Sequence, residues 1–137
     1  MKKWNLLNEA VTPDRKKVSL WERDGEYTIR VDGIDLMTTR QHTSEDKLGE
    51  LGYAHLGKVK NPRILIGGLG FGYTLKSVLV RTSPATRITV AELNPSIITW
   101  NKSPAYPFAA VAMADRRVQT VQRDVLSIIQ AARAKFD

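Results

Sequence analysis

Cysteine is absent from the 137 residues, which excludes a disulfide scaffold, a zinc site built on thiolates and a Cys nucleophile. Histidine occurs only twice, as His42 and His55. His55 falls on the apolar face of a candidate helix, where it reads as a core or hinge residue rather than a ligand, and His42 sits in a loop with no visible partner. No apolar run approaches the ~20 residues a membrane helix needs. The opening Met-Lys-Lys-Trp-Asn-Leu-Leu-Asn-Glu has positive charge but no apolar stretch of signal-peptide length behind it. These absences lead us to expect a soluble, cytoplasmic, globular protein. Acidic residues are scarce in one half only: residues 1–60 carry 11 basic and 10 acidic side chains, residues 61–137 carry 10 and 4. A basic half can face nucleic acid or an anionic ligand. The charges are scattered singly, however, with Arg116-Arg117 the one pair in that half, so a solvated surface is the simpler reading and no nucleic-acid partner is expected.

What is present is enough apolar sequence for a packed core, 42% hydrophobic residues against 26% charged, in a length that suits one domain with a small appendage. The first forty residues read as a β-meander of three strands. Lys17 to Arg23, Glu26 to Val31 and Ile34 to Thr38 are separated by Asp24-Gly25 and Asp32-Gly33. Asp-Gly between such runs signals a type I′ hairpin, whose central residues both need positive φ. Ser44 then reads as a helix N-cap ahead of Glu45-Asp46. Leu48, Leu51, His55 and Leu56 share one face of the helix that follows, closed by Gly57.

From Asn61 the pattern becomes β-α-β-α-β-α. Strands are expected at Arg63–Ile66, Arg87–Leu93 and Arg117–Gln122. Helices are expected over about 72–81, from Pro95 through Trp100, and over Val125–Ala134, with one helical turn at Ala109–Met113. Such alternation implies a parallel sheet with right-handed crossovers. The fold class is therefore α/β, a Rossmann-like parallel sheet in 43–137 preceded by the meander subdomain in 1–42. Three strands make half of a doubly wound sheet, and Phe136-Asp137 reads as the opening of another strand. The expectation is the front half of a longer protein, truncated after the third strand.

The chemistry concentrates at three places. Gly67-Gly68-Leu69-Gly70-Phe71-Gly72 follows a strand and opens a helix. Glycine there permits positive φ and close approach of a ligand to the backbone; taken alone, the cluster could equally be a tight βα turn. Glu92 lies 20 residues beyond Gly72, at the end of the next strand, where a carboxylate can accept both hydroxyls of a ribose. Asp124 follows the third strand, placed to accept from an adenine amino group. Either acid alone could be a surface residue. Together, at the carboxyl ends of successive parallel strands, Gly68, Gly70, Gly72, Glu92 and Asp124 form a candidate adenosine site.

The segments Ile64-Leu65-Ile66-Gly67-Gly68-Leu69-Gly70-Phe71-Gly72, Thr89-Val90-Ala91-Glu92-Leu93-Asn94-Pro95 and Asp115 to Asp124 resemble those of spermidine synthases, polyamine aminopropyltransferases on the class I methyltransferase fold. The resemblance implies that the glycine loop and the two acids hold the nucleoside of decarboxylated S-adenosylmethionine. Ile66 stands where ordinary methyltransferases carry an acid, and the meander with Val31-Asp32-Gly33 is similar to the family's N-terminal subdomain. The chain departs from the family elsewhere. Phe71 replaces an Asp that helps bind the aminopropyl amine, and Leu36 replaces a Gln. Gly49-Glu50-Leu51 stands in place of a Tyr and His-Glu motif, Ser77 in place of a Glu, and Glu45-Asp46 is the counterpart of an acidic pair. The family's acidic motif after its fourth strand, which supplies the base, has no counterpart before Asp137.

The nucleoside half of the site is thus retained and the polyamine half altered. The expected function is a spermidine synthase-like transferase that uses decarboxylated S-adenosylmethionine or S-adenosylmethionine as co-substrate. Its acceptor is unknown, no residue is assigned as catalytic, and neither a metal nor a membrane is involved. A homo-oligomer is also expected. Two alternatives stand beside this reading: an S-adenosylmethionine-dependent methyltransferase, and a non-catalytic binding module whose basic half contacts nucleic acid.

Overall fold

Two Asp-Gly pairs shape the first sheet of the computed structural model, which describes residues 2–137. Four strands, β1 (Asn5–Val11), β2 (Lys17–Arg23), β3 (Glu26–Val31) and β4 (Ile34–Thr38), pair antiparallel in the order β1-β2-β3-β4. Asp24 and Gly25 have φ of 53° and 79°, Asp32 and Gly33 49° and 79°. Both central residues of each hairpin are left-handed, as a type I′ turn demands. Arg23 therefore faces Glu26, and Val31 faces Ile34. That register buries Val18, Leu20 and Ile29. Arg23 and Arg30 lie over the Trp4 ring, and Arg30 also lies over Trp21, at 4.4–5.3 Å, distances at which a cation is attracted to a ring face.

The sequence reading of three strands missed β1. Asn5-Leu6-Leu7-Asn8-Glu9-Ala10-Val11 has weak β-propensity and no alternation. Every residue of it but Ala10 is exposed. It is an edge strand held by backbone pairing to β2, with a bulge between Leu6 and Asn8.

Contacts divide the chain into two compact units, one ending at His42 and one running Thr43–Asp137. The second unit contains, in order, α1 (Thr43–His55), β5 (Arg63–Gly67), α2 (Tyr73–Leu79), β6 (Arg87–Ala91), α3 (Pro95–Lys102), α4 (Ala110–Met113), β7 (Val118–Val121) and α5 (Val125–Ala131). The three strands are parallel in the order β5-β6-β7, with Ile64 beside Ile88 and Ile88 beside Val118. Ile66, Ile88 and Val90 of the sheet are buried, as are Leu75, Val78, Ile97, Trp100, Met113 and Ile128 of the helices. Each such side chain contributes roughly 1.5–3 kcal/mol by leaving water.

Helix α1 differs from expectation in two ways. Ser44 lies inside its first turn, its hydroxyl on Glu45 Oε2 at 3.0 Å, and so does not cap the helix through a backbone amide. The expected face is buried only at its end: Leu48 and Leu51 are 63% and 65% exposed and His55 is exposed, while Leu56, just past the helix, and Gly49 are buried. The reason is close helix contact. Ser77 Oγ of α2 donates to the Asp46 carbonyl at 2.7 Å, and Thr74 Oγ1 donates to the Glu45 carbonyl at 3.2 Å. A Cβ on Gly49 would stand 2.6 Å from that of Ser77. Hydrogen bonds through small side chains, rather than leucine packing, set this approach.

On the side of β5 away from β6, Leu48, Leu56, Ile64, Ile66, Val78 and Ile129 help line a groove of about 500 Å³. The Asp137 amide donates to the Arg63 carbonyl at 2.8 Å, and the Asp137 carboxylate accepts from the Arg63 amide at 2.9 Å. Phe136-Asp137 thus lies beside the first residue of β5.

Candidate functional site

Parallel strands put their carboxyl ends on one edge of the sheet, and backbone hydrogen bonds tie those ends into a row. The Gly68 amide, just past β5, donates to the Ala91 carbonyl of β6 at 2.7 Å. The Glu92 amide, just past β6, donates to the Val121 carbonyl of β7 at 3.0 Å. The glycine loop and Glu92 therefore begin as lateral neighbours, one strand spacing of ~4.8 Å apart, and Asp124 follows three residues after the end of β7.

The loop follows an unusual path. Gly68, Gly70 and Gly72 have φ of 93°, 55° and 80°, a region that residues with a side chain rarely occupy. Two of these glycines have different surroundings. A Cβ on Gly72 would lie 2.4 Å from the Ala109 Cβ, so this glycine is required by packing. A Cβ on Gly68 would meet nothing within 4 Å. Gly68 presents bare backbone to open space, the geometry a closely approaching ligand needs.

Glu92 is buried, 9% exposed. Its Oε1 accepts from the Leu69 amide at 3.1 Å and its Oε2 from the Asn94 amide at 2.9 Å. One carboxylate thus clasps the glycine loop on one side and the entry to α3 on the other. Each oxygen keeps a further lone pair. Asn94 continues the chain of contacts, its side chain capping α3 at the Ser96 amide, 3.1 Å away, with Pro95 at the first helical position. Asp124 is exposed and caps α5 through Oδ1 to the Leu126 amide at 3.1 Å. All five residues expected from the sequence lie along this one edge of the sheet. Glu92 bonds directly to the loop and Asp124 does not.

Two features escaped the sequence reading. Phe71 does not point a polar group at a ligand. It is buried, its ring 4.7 Å from that of Phe108, which stacks in turn on Tyr106 at 5.5 Å. Asn101, in the last turn of α3, is 1% exposed. Its Nδ2 donates to the Gly70 carbonyl at 2.7 Å and to the Ile97 carbonyl at 2.9 Å. A polar residue on the otherwise apolar face of Ile97 and Trp100 was the available signal.

Charge nearby falls on α2. Burial, then the Asp46 and Glu45 carboxylates, raise the Tyr73 phenol above its usual pKa, so it stays neutral. Burial lowers the Lys76 ammonium, whose Nζ is 5.4 Å from the Tyr73 ring. Among the described residues no group of three or more His, Asp or Glu side chains could hold a metal, and no helix is long and apolar enough to cross a membrane.

No family model matches this sequence, and no curated protein does. Solved structures do. Spermidine synthase from Thermotoga maritima superposes with a TM-score of 0.76 at 18% identity, over 96% of this chain and 45% of that one. The fold is spermidine synthase-like. A spermidine synthase solved with the transition state analogue AdoDATO matches to the same extent. A probable spermidine synthase from Corynebacterium glutamicum matches with a TM-score of 0.59 at 13% identity, over 96% of this chain and 48% of its own. The chain spans less than half the length of these spermidine synthase-like structures.

Proposed function

We propose that the carboxyl edge of the β5-β6-β7 sheet holds the nucleoside of an S-adenosyl co-substrate in a group-transfer enzyme. In this reading Gly68, Gly70 and Gly72 form the loop against which the nucleoside lies. Glu92 takes the ribose hydroxyls on its remaining lone pairs, and Asp124 takes the adenine amino group. The observation that carries the proposal is the Glu92 clasp: a buried carboxylate bonded to the Leu69 amide, beside a Gly68 whose outer face is open. A spermidine synthase of the same fold, solved with AdoDATO, supports a ligand of this class.

The reaction would be a direct displacement. A nucleophile attacks a carbon on the sulfonium, the C–S bond breaks, and the thioether leaves with the electron pair. The protein's part is to hold the two reactants in line. Decarboxylated S-adenosylmethionine would pass on an aminopropyl group, S-adenosylmethionine a methyl group. The burial of Phe71 against Phe108 favours the second co-substrate as an alternative, because no carboxylate stands at that point of the loop to meet a free aminopropyl amine.

Mass spectrometry of small molecules retained by the full-length protein tests the proposal. A decarboxylated or carboxylated S-adenosyl compound, or its thioether product, is the expected finding. Its absence, together with no binding of either compound when supplied, would refute the proposal.

A further inference from the structure

The Gly68–Gly72 loop is held from two directions. Glu92 takes the Leu69 amide from one side, and Asn101 donates to the Gly70 carbonyl from the other. The Asn101 amide has a fixed orientation, because both groups facing its Nδ2, the Gly70 and Ile97 carbonyls, are acceptors. Turning the amide over would set oxygen against two oxygens. That orientation leaves Oδ1 buried with no hydrogen-bond partner. It lies 4.0 Å from where a Cβ of Gly72 would stand, directly behind the loop. An unpaired buried acceptor is a standing cost to the fold. An aliphatic side chain at position 101 would avoid that cost but would take the donor from the Gly70 carbonyl.

We infer that Asn101 is a positioning residue of the nucleoside site. Its amide fixes the Gly70 carbonyl, and so the path of the loop, and the fold bears an idle Oδ1 in consequence. This inference rests on the reading that the loop holds a nucleoside, and it extends that reading to a residue in the last turn of α3 that touches no ligand. A residue kept only for packing behaves differently when replaced. Asn101→Leu keeps the number and branching of the side-chain heavy atoms, removes the orphan acceptor and removes both donors. A packing role predicts that a variant which still folds binds as the wild type does; a positioning role predicts weaker binding in the folded variant.

The test uses the full-length protein, with S-adenosylhomocysteine and decarboxylated S-adenosylmethionine as probes. Asn101→Leu is expected to stay folded, though somewhat less stable than wild type, and to bind whichever probe the wild type binds about tenfold more weakly, the scale of one well-placed hydrogen bond lost. Unchanged affinity in the folded variant would overturn the inference. Amide exchange of Leu69 and Gly72 without ligand is a second readout, independent of the functional proposal. With the Gly70 carbonyl released, these amides are expected to exchange about tenfold faster while those of β6 keep their rates. If the wild type binds neither probe, the proposed function fails. The exchange result then decides the clamp alone, and equal loop exchange in both proteins would overturn it.

Discussion

Replacing Gly72 and Gly68 by alanine, one at a time, separates what the loop does for the fold from what it does for a ligand. At Gly72 two costs combine. A residue with a side chain at φ of 80° costs roughly 1–2 kcal/mol relative to glycine. The new methyl would also stand 2.4 Å from the Ala109 Cβ, and relieving such overpacking typically costs about 1–3 kcal/mol. Gly72→Ala is therefore expected to destabilise the full-length protein by about 2–5 kcal/mol, a large share of an ordinary domain's stability. At Gly68 only the conformational cost applies, because a Cβ there meets nothing within 4 Å. Gly68→Ala is expected to lose about 1–2 kcal/mol and to stay folded, with its methyl on the open side of the loop. If the nucleoside lies there, its affinity falls by about tenfold or more. Urea denaturation measures the first effect and titration calorimetry with an S-adenosyl compound the second. A Gly72→Ala protein as stable as wild type would refute the packing argument. A Gly68→Ala protein with unchanged affinity would remove Gly68 from the ligand's path.

Other outcomes follow from contacts elsewhere in the second unit. The Arg117 guanidinium beside Asp115 lowers that carboxyl to about 2 from 3.8, across a 2.8 Å contact with 27% of the Asp115 side chain exposed. A depressed carboxylate contributes stability above its unfolded pKa and loses it as pH falls through the folded value. After solvent screening, Asp115→Asn should cost about 1 kcal/mol at neutral pH and almost nothing near pH 2; a pH-independent difference in denaturation midpoint would contradict this. In α1, Gly49→Ala meets Ser77 at 2.6 Å, whereas Gly52→Ala meets nothing. The first should lose about 1–3 kcal/mol and the second gain up to about 1 kcal/mol from helix propensity, and urea midpoints moving the same way for both would count against the α1–α2 contact described above. The burial of Phe71 leads us to expect little putrescine aminopropyl transfer from the full-length protein, and robust turnover in a product assay would refute this.

Much of this architecture was legible because the signals are local. The Asp-Gly turns need positive φ at both positions, and Asp24-Gly25 and Asp32-Gly33 adopt it. Pro95 after Asn94 fixes the start of α3. What the sequence concealed depends on tertiary contact. β1 exists because β2 offers it a backbone partner, not because Asn5–Val11 favours strand. Leu48 and Leu51 of α1 stay largely exposed because Ser77 and Thr74 draw the helix in by its carbonyls, a pull that no periodicity within α1 records. In the candidate site, the glycines and Glu92 stood out by spacing after strands. Asn101 did not, since its role depends on a carbonyl 31 residues away, and a single amide on an apolar helix face gives no hint of its partner.

The central claim is that Glu92 and the glycine loop hold a nucleoside, and a calorimetric comparison tests it most directly. Full-length wild type and Glu92→Ala would each be titrated with decarboxylated S-adenosylmethionine and with S-adenosylmethionine. The wild type is expected to bind one of them, and the variant more weakly by roughly 1.5–3 kcal/mol, the contribution of hydrogen bonds to a charged group. Equal affinities in the two proteins would contradict the account.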